Sequence, residues 1–503
     1  MNHALRRLSI ACLVMFLALM IGVNYLQVFR ASSLAAEPGN IRVFDQQFKV
    51  WRGEIIAAGG GQQQVIAESR KQKNGDFQRY YPDPLTYAPV TGYDSIYANT
   101  SPYGLTGIEQ AENKLLAGTA PSLAVYNLKG LFTGKPKQGA SVYLTISPRA
   151  QQAAYQALAQ MGKPAAAVAI DPQTGAILAL ASYPTFNPNL LATLNGVQFN
   201  KNDARLVRDP AQPLLNRALN DTFPPGSSFK IVTSSTAFGT GKVHNQNSTI
   251  PAPQFYHLPG SSSVLTNDGD APCGNGNPPI IFAFTVSCNT AFGKLGDTVG
   301  GSALHSYAGL YGFNAGWNMS IPLPVSPSVY GNSKGQPLTD PAQIALSAIG
   351  QFDDAVTPMQ EAMIAAAIAN HGKLMQPYLV QDVKAPDQSV VTSTTPTEIR
   401  QVVSSQVAAY ITQMMISVTH NQDGTAFFTA GPQATGGLDI AGKTGTAQNG
   451  PNNSHLDDAV FTCFAPASNP QIAVGVIVKG GGFGADAAAP IAVKIIQAYL
   501  GQH

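Results

Sequence analysis

The chain has 503 residues, a formal net charge of +2, 44% hydrophobic residues and 12% charged residues. That length puts two or more domains ahead of a single core. The balanced charge, with no basic stripe or polybasic tail, excludes a nucleic-acid reader, and the hydrophobic content excludes general disorder despite 48 Gly and 36 Pro.

The first predicted element is a membrane span. Arg6 and Arg7 precede LSIACLVMFLALMIGVNYLQVF, residues 8–29, which carries no formal charge before Arg30. About 20 apolar residues cross the hydrocarbon layer as a helix. Two arginines on the short side keep residues 1–7 in the cytoplasm and the body of the chain outside. A cleaved signal peptide is the rival, given Ala31, Ser32, Ser33, Ala35 and Ala36 downstream. Its apolar stretch would be shorter, about 7–15 residues, so the anchor is preferred. The expected localisation is the cell membrane, single-pass, with the catalytic body extracytoplasmic. Cys12 lies in the anchor, leaving Cys273, Cys288 and Cys463 in an oxidising compartment. Cys273 and Cys288 are nearest in sequence, and a bridge there would contribute roughly 3 kcal/mol. Three free thiols are the open alternative. Neither CxxC nor Cys/His metal spacing occurs, so no metal and no cofactor are expected.

Residues 30–39 read as a small-residue linker, and 40–140 as a first exported region with short apolar runs (VIAES, SIYANT) between turn residues. TGKPKQG, with Lys135 and Lys137, marks a boundary, giving a pedestal over 30–140 and a second domain over 141–503. SVYLTI (141–146) alternates like a strand and PRAQQAAYQALAQM (148–161) reads as a helix. AAAVAID and AILALASY around PQTG predict a hairpin. SFKIVTSSTAFG, PPIIFAFTVSCNTAFGKLG, TPMQEAMIAAAIANHG and VSSQVAAYITQMMISVTH are helical in pattern. LDIAGKTGTAQ, DAVFTCFAP and QIAVGVIVKGG return to strands, followed by a helix in APIAVKIIQAYL. Strands at both ends around a helical middle imply an α+β domain whose sheet joins distant parts of the chain.

Three short stretches carry chemistry. In PPGSSFK (224–230) the prolines and glycine let a helix begin near Ser227 or Ser228, which would put Lys230 on the face of Ser227. A lysine whose pKa is lowered by burial can take a serine's proton. The helix N-terminus adds partial positive charge near a developing oxyanion. Residues 287–289 read Ser-Cys-Asn, and 443–446 read Lys-Thr-Gly-Thr on a strand-like run. There the lysine supplies positive charge, the hydroxyls hold a carboxylate, and glycine admits a substrate backbone. Ser-x-x-Lys, Ser-x-Asn and Lys-Thr-Gly in this order are the set found in penicillin-binding proteins and class A β-lactamases.

Over nearly its whole length the chain resembles a class B penicillin-binding protein, most like the penicillin-binding protein A subgroup. The resemblance extends to NIRVFDQQFKVWRGEI (40–55, with Asn40, Arg42, Arg52 and Gly53), RYYP (79–82) and GLTGIEQAENKLLAG (104–118) in the pedestal. It continues through AAVAIDPQTGAILALASYPTFNPN (166–189), RALNDTFPPGSSFK (217–230), SAIGQ (347–351) and TPMQEAMIAAAIANHG (357–372). The first exported region lacks bulk for a glycosyltransferase domain. The resemblance implies an antiparallel sheet flanked by helices and a peptidoglycan D,D-transpeptidase that β-lactams acylate. Its implied partners are stem peptides ending in D-Ala-D-Ala, penicillin and other β-lactams, the cytoplasmic membrane, and membrane proteins of cell division or elongation. It makes Ser227 the acylated nucleophile and Lys230 its base. Ser287 relays a proton toward the leaving group, Asn289 bonds the substrate amide and the lysine, and Lys443 sets the electrostatics. Thr444, Gly445 and Thr446 bind substrate, with the backbone N–H groups of Ser227 and Thr446 as oxyanion hole.

The chain departs from the family pattern where FDDAV (352–356) replaces a glycine-rich turn and where Val460 stands near an expected Trp. His455, Asp457 and Asp458 read as solvated loop residues, and Met414 and Met415 as helix core. Two other functions are open to the same motifs. One is a carboxypeptidase or β-lactamase, for which no Glu-x-x-Leu-Asn element supplies a deacylating water. The other is a scaffold or β-lactam sensor, against which stand the intact motifs and a cytoplasmic tail too short for a signalling region.

Overall fold

The computed structural model describes residues 2–30, 33–34, 49–95, 97, 105–133, 137–315, 321–332, 334–448 and 455–501. Most of the linker, Asn40, Arg42, Gly104, Lys135 and most of SIYANT lie outside the described residues. Helix α1 (Asn2–Val28) includes residues read as a tail, and its stretch Leu5–Val28 is long and apolar enough to cross a membrane. At 1.5 Å per residue those 24 residues extend about 36 Å, against about 30 Å of hydrocarbon.

In chain order the strands that matter are β1 (Ile55–Ala57), β2 (Gln64–Lys71), β3 (Phe77–Tyr80) and β4 (Ser141–Leu144). They continue with β5 (Ala165–Ile170), β6 (Ile177–Tyr183), β7 (Val380–Lys384) and β8 (Val390–Ser393). The last are β9 (Ala441–Ala447), β10 (Asp458–Ala465) and β11 (Ile472–Val478). The first sheet has the order β8-β7-β4-β1-β2-β3. It therefore draws strands from both sides of residue 140. Strand β4 is parallel to β1 and antiparallel to β7, and its Val142 and Leu144 are fully buried. A cut at residue 140 would strip β4 from the sheet that satisfies its backbone.

Above this sheet's first strands lies a closed ionic cluster. Arg52 Nε donates to Glu109 Oε2 at 2.7 Å and Arg79 Nε to Glu109 Oε1 at 2.5 Å. Tyr81 adds its hydroxyl at 3.2 Å, and Arg79 also donates to the Gly53 carbonyl at 2.7 Å. Burial works against ionising Glu109, but the two arginines outweigh it and hold its carboxyl below the usual range.

The second sheet, β9-β10-β11-β5-β6, is antiparallel throughout. All residues of β5, β10 and β11 are buried. Since side chains alternate between faces, both faces must be covered, which explains strands that read as unbroken apolar runs. Helix α2 (Pro148–Met161) starts where Ser147 accepts from the Ala150 N–H and ends at Gly162 in the left-handed region (φ 68°). The other helices that bear on the site are α3 (Lys230–Gly239), α4 (Ile280–Thr285), α5 (Asn289–Val299), α6 (Pro358–Ala369), α7 (Ser405–His420) and α8 (Ala489–Leu500). Helices α2 and α8 pack on each other against the sheet, while α6 lies on β11, β5 and β10. Met414 and Met415 are fully buried in α7.

Candidate active site

The turn that carries Ser227 is squeezed from two sides. Gly226 has φ 57°, and its N–H donates to the Gly350 carbonyl at 2.9 Å. A Cβ on Gly226 would lie 2.8 Å from the Thr446 carbonyl oxygen, so only glycine fits. Residues Gly226–Phe229 form a 3₁₀ turn, and the α-helix begins at Lys230, later than the Ser227 or Ser228 expected from sequence. Phe229 is locked behind the turn between Phe313 and Tyr330, with ring centroids 5.6 and 5.1 Å away. Ser227 is thereby left half-buried on the wall of a groove of about 990 Å³ shared with Ser287, Asn289, Thr444 and Thr446.

Lys230 is fully buried beneath that groove. Its Nζ donates to the Ser287 carbonyl at 2.7 Å and to Asn289 Oδ1 at 2.8 Å, and lies 3.2 Å from Ser287 Oγ. Among the described residues no hydrogen bond joins it to Ser227. Lys443, equally buried, donates to Ser287 Oγ at 2.9 Å and to the Thr444 carbonyl at 3.1 Å. All these partners are neutral oxygens. Burial first, and then the neighbouring Lys443, hold Lys230 well below the usual lysine range, with Asp268 working the other way. Burial likewise brings Lys443 down to about 7, again opposed by Asp268.

The Ser-Cys-Asn stretch interrupts what reads in sequence as one helical segment. Helix α4 ends at Thr285, Ser287 takes φ 60°, and α5 starts at Asn289. That break presents both the carbonyl and the hydroxyl of Ser287 to the lysines. Cys288 is bridged to Cys273, so the free-thiol alternative does not describe this pair. Cys463 is a buried free thiol and Cys12 an exposed one in α1. The bridge holds the segment carrying Asp268 over the site, aided by Asn267, whose Oδ1 accepts from the Thr290 N–H at 3.0 Å. The Asn289 Nδ2 donates to the Thr266 carbonyl at 3.3 Å.

Strand β9 pairs Lys443 with Thr462, Gly445 with Val460 and Thr446 with Ala459. Thr444 and Thr446 face the groove, and Thr444 Oγ1 lies 2.7 Å from Thr425 Oγ1. A Cβ on Gly445 would meet the Pro225 carbonyl oxygen at 2.7 Å and Val460 Cβ at 2.9 Å. Its missing side chain lets the strand lie against the turn that carries Ser227.

Several loop expectations also change. Of the acids in FDDAV, Asp354 is buried and accepts from Ser347 Oγ at 2.6 Å, and burial pushes its carboxyl well above the usual range. Phe352 stands at the groove's rim with φ 74°. Asp458, read as solvated, is buried and accepts from the Gly480 N–H at 2.7 Å. Asp457 is half-buried on the groove and His455 is exposed. Sequence reasoning missed Asp268, Thr425 and Glu361. The last had a signal: it is the single ionisable residue in the otherwise uncharged run PMQEAMIAAAIA. A second cavity of about 420 Å³, between the pedestal and residues 212–216, has no titratable side chain in its lining.

Residues 165–497 match the penicillin binding protein transpeptidase domain family, and residues 52–142 match the penicillin binding protein A dimerisation domain. The chain is 40% identical to the peptidoglycan D,D-transpeptidase PbpA of Mycolicibacterium smegmatis over 99% of each chain. It is 32% identical to the D,D-transpeptidase MrdA of Acinetobacter baumannii, over 82% of this chain and 64% of that one. Among solved structures, penicillin-binding protein A from M. tuberculosis as its penicillin G acyl-enzyme superposes with TM-score 0.81 at 39% identity, covering 90% of this chain and 100% of that one. Its imipenem acyl-enzyme gives 0.82 at 38% identity, covering 90% and 99%. With three motifs converging on one groove beside a pedestal sheet, the chain belongs to the class B penicillin-binding proteins, within the penicillin-binding protein A group of serine D,D-transpeptidases.

Proposed function

We propose that Ser227 attacks the carbonyl of the penultimate D-Ala of a peptidoglycan stem peptide and that a second stem peptide's amine resolves the ester. The arrangement of Lys230 carries this reading. A neutral amine has two N–H donors and one lone pair. The contacts at 2.7 and 2.8 Å to Ser287 and Asn289 use both donors, leaving the lone pair to take a hydroxyl proton. Burial and Lys443 favour that neutral form.

As Ser227 Oγ bonds to the carbonyl carbon, its proton passes to Lys230, and the oxyanion is held by the N–H groups of Ser227 and Thr446. Collapse breaks the C–N bond. The departing D-Ala amine takes a proton from Ser287, which lies between both lysine amines and is reprotonated by them. The acceptor amine then attacks the ester carbonyl, Ser227 leaves with a proton, and a cross-link remains. In a β-lactam the leaving amine stays tethered, so the ester persists. Thr444 and Thr446 hold the donor's terminal carboxylate, with Lys443 behind them. The body works outside the cytoplasmic membrane, tethered by α1, where it meets membrane proteins of division or elongation.

Intact-protein mass spectrometry after exposure to a fluorescent penicillin, followed by peptide mapping, tests the assignment. One adduct on Ser227 is expected, and none in Ser227→Ala. An adduct on another residue would sink it.

A further inference from the structure

All twelve residues of α6 are buried, and Glu361 is the ionisable one among them. Gly475 on β11 lets it come close to the sheet: a Cβ there would lie 2.6 Å from the Pro358 carbonyl oxygen and 2.8 Å from Glu361 Cβ. From this position the carboxyl bridges two parts of the site. Its Oε2 bonds Thr462 Oγ1 on β10, directly across from Lys443. Its Oε1 lies 2.8 Å from Ser228 Oγ, the residue after the nucleophile. Ser228 Oγ also lies 2.8 Å from the Pro225 carbonyl oxygen, which closes the nucleophile turn.

The protons must be counted. Ser228 has one hydroxyl proton, and the Pro225 carbonyl can only accept. If Glu361 is ionised, that single O–H faces two acceptors and one bond is lost. If Glu361 is a neutral acid, its own O–H donates to Ser228 Oγ and the serine donates to Pro225. Its carbonyl oxygen then accepts from Thr462, and every contact is satisfied. Among the described residues no cation bonds this carboxyl, and burial pushes it up to about 7, in the same direction.

We propose that Glu361, as a neutral acid, is a positioning residue that fixes the nucleophile turn through Ser228 and ties it to the strand behind Lys443. It touches neither substrate nor the reacting atoms. The inference rests on Ser227 being the acylated serine.

The full chain, purified in detergent, is titrated with a fluorescent penicillin, and the acylation rate at saturation, the half-saturating concentration and Tm are measured. Glu361→Gln offers an N–H to Ser228 and a C=O to Thr462, and should keep the rate within about threefold. Glu361→Met offers neither, and its saturating rate should fall about tenfold or more with half-saturation within about twofold. Ser228→Ala cuts the same link without touching α6 and should show the same split. Wild-type rates in Glu361→Met or Ser228→Ala would overturn the proposal. So would a Glu361→Gln as slow as Glu361→Met, or a rate loss that merely tracks the unfolded fraction. Labelling of the wild-type protein away from Ser227 is a separate failure, of the nucleophile assignment, and this inference would fall with it.

Discussion

The pedestal and the active site each bury a cluster of charged side chains, and they do opposite things with them. In the pedestal Glu109 is clasped by Arg52 and Arg79, and its charge is held. In the active site Lys230 and Lys443 share Ser287 Oγ and have neutral oxygens as partners. The first arrangement satisfies its ions and makes them structural. The second leaves two amines short of counter-charge, so desolvation lowers the proton affinity of both, and Lys443 lowers that of Lys230 further. Burial is common to both. Whether a compensating charge lies within reach decides whether a buried ion supports the fold or does chemistry.

The sharpest break in that contrast comes from Lys230→Met. Acylation by penicillin should fall about 10³-fold, the range of a lost general base, while Tm holds or rises. Stopped-flow acylation and thermal melting read the two effects, and a Tm that fell with activity would make Lys230 structural instead. Glu109→Gln should do the reverse. It leaves Arg79 without its carboxylate partner and Arg52 with Asp94 alone, at 3.6 Å, and costs about 3–5 kcal/mol of stability, seen as an early melt. The acylation rate of the folded fraction should stay near wild type; a stable Glu109→Gln would dissolve the comparison.

Removing the bridge with Cys273→Ser and Cys288→Ser should cost roughly 3 kcal/mol. It should also slow acylation, because Cys288 separates Ser287 from Asn289 and the bridge holds the Asp268 segment. Unchanged acylation would confine the bridge to stability. The smallest effect is on pH dependence. The working amine, Lys230, must be neutral, and burial and then Lys443 lower its proton affinity well below the usual lysine range. Saturating acylation should therefore fall as pH drops through that lowered value, by at most about tenfold per unit. A flat profile from pH 8 to 5 would remove the depressed lysines from the mechanism.

Much of the site is legible because its motifs are local. Pro225-Gly226 before Ser227, the Ser-Cys-Asn triplet and Lys443-Thr444-Gly445 each declare themselves over a few residues. Helix α2 is bounded by a capping Ser147 and a terminal Gly162, both visible in sequence. Glu361 and Asp354 were passed over because an acid beside an apolar run looks the same whether it points to water or inward. Asp458 failed for that reason, since its strand is covered on both faces. The boundary at residue 140 is equally a tertiary matter. Strand β4 looks like any alternating strand, and its partners β1 and β7 lie more than eighty residues before it and over two hundred after it.

By itself the sequence determined the element types, the membrane-length helix and the three chemical groups, because periodicity, caps and short motifs act within a few residues. Only the tertiary structure decided that Lys230 and Lys443 meet at one serine hydroxyl, that Glu361 bonds both Ser228 and Thr462, and that Gly445 lies against Pro225. Those are properties of proximity and desolvation, and both are created when distant segments come together to exclude water.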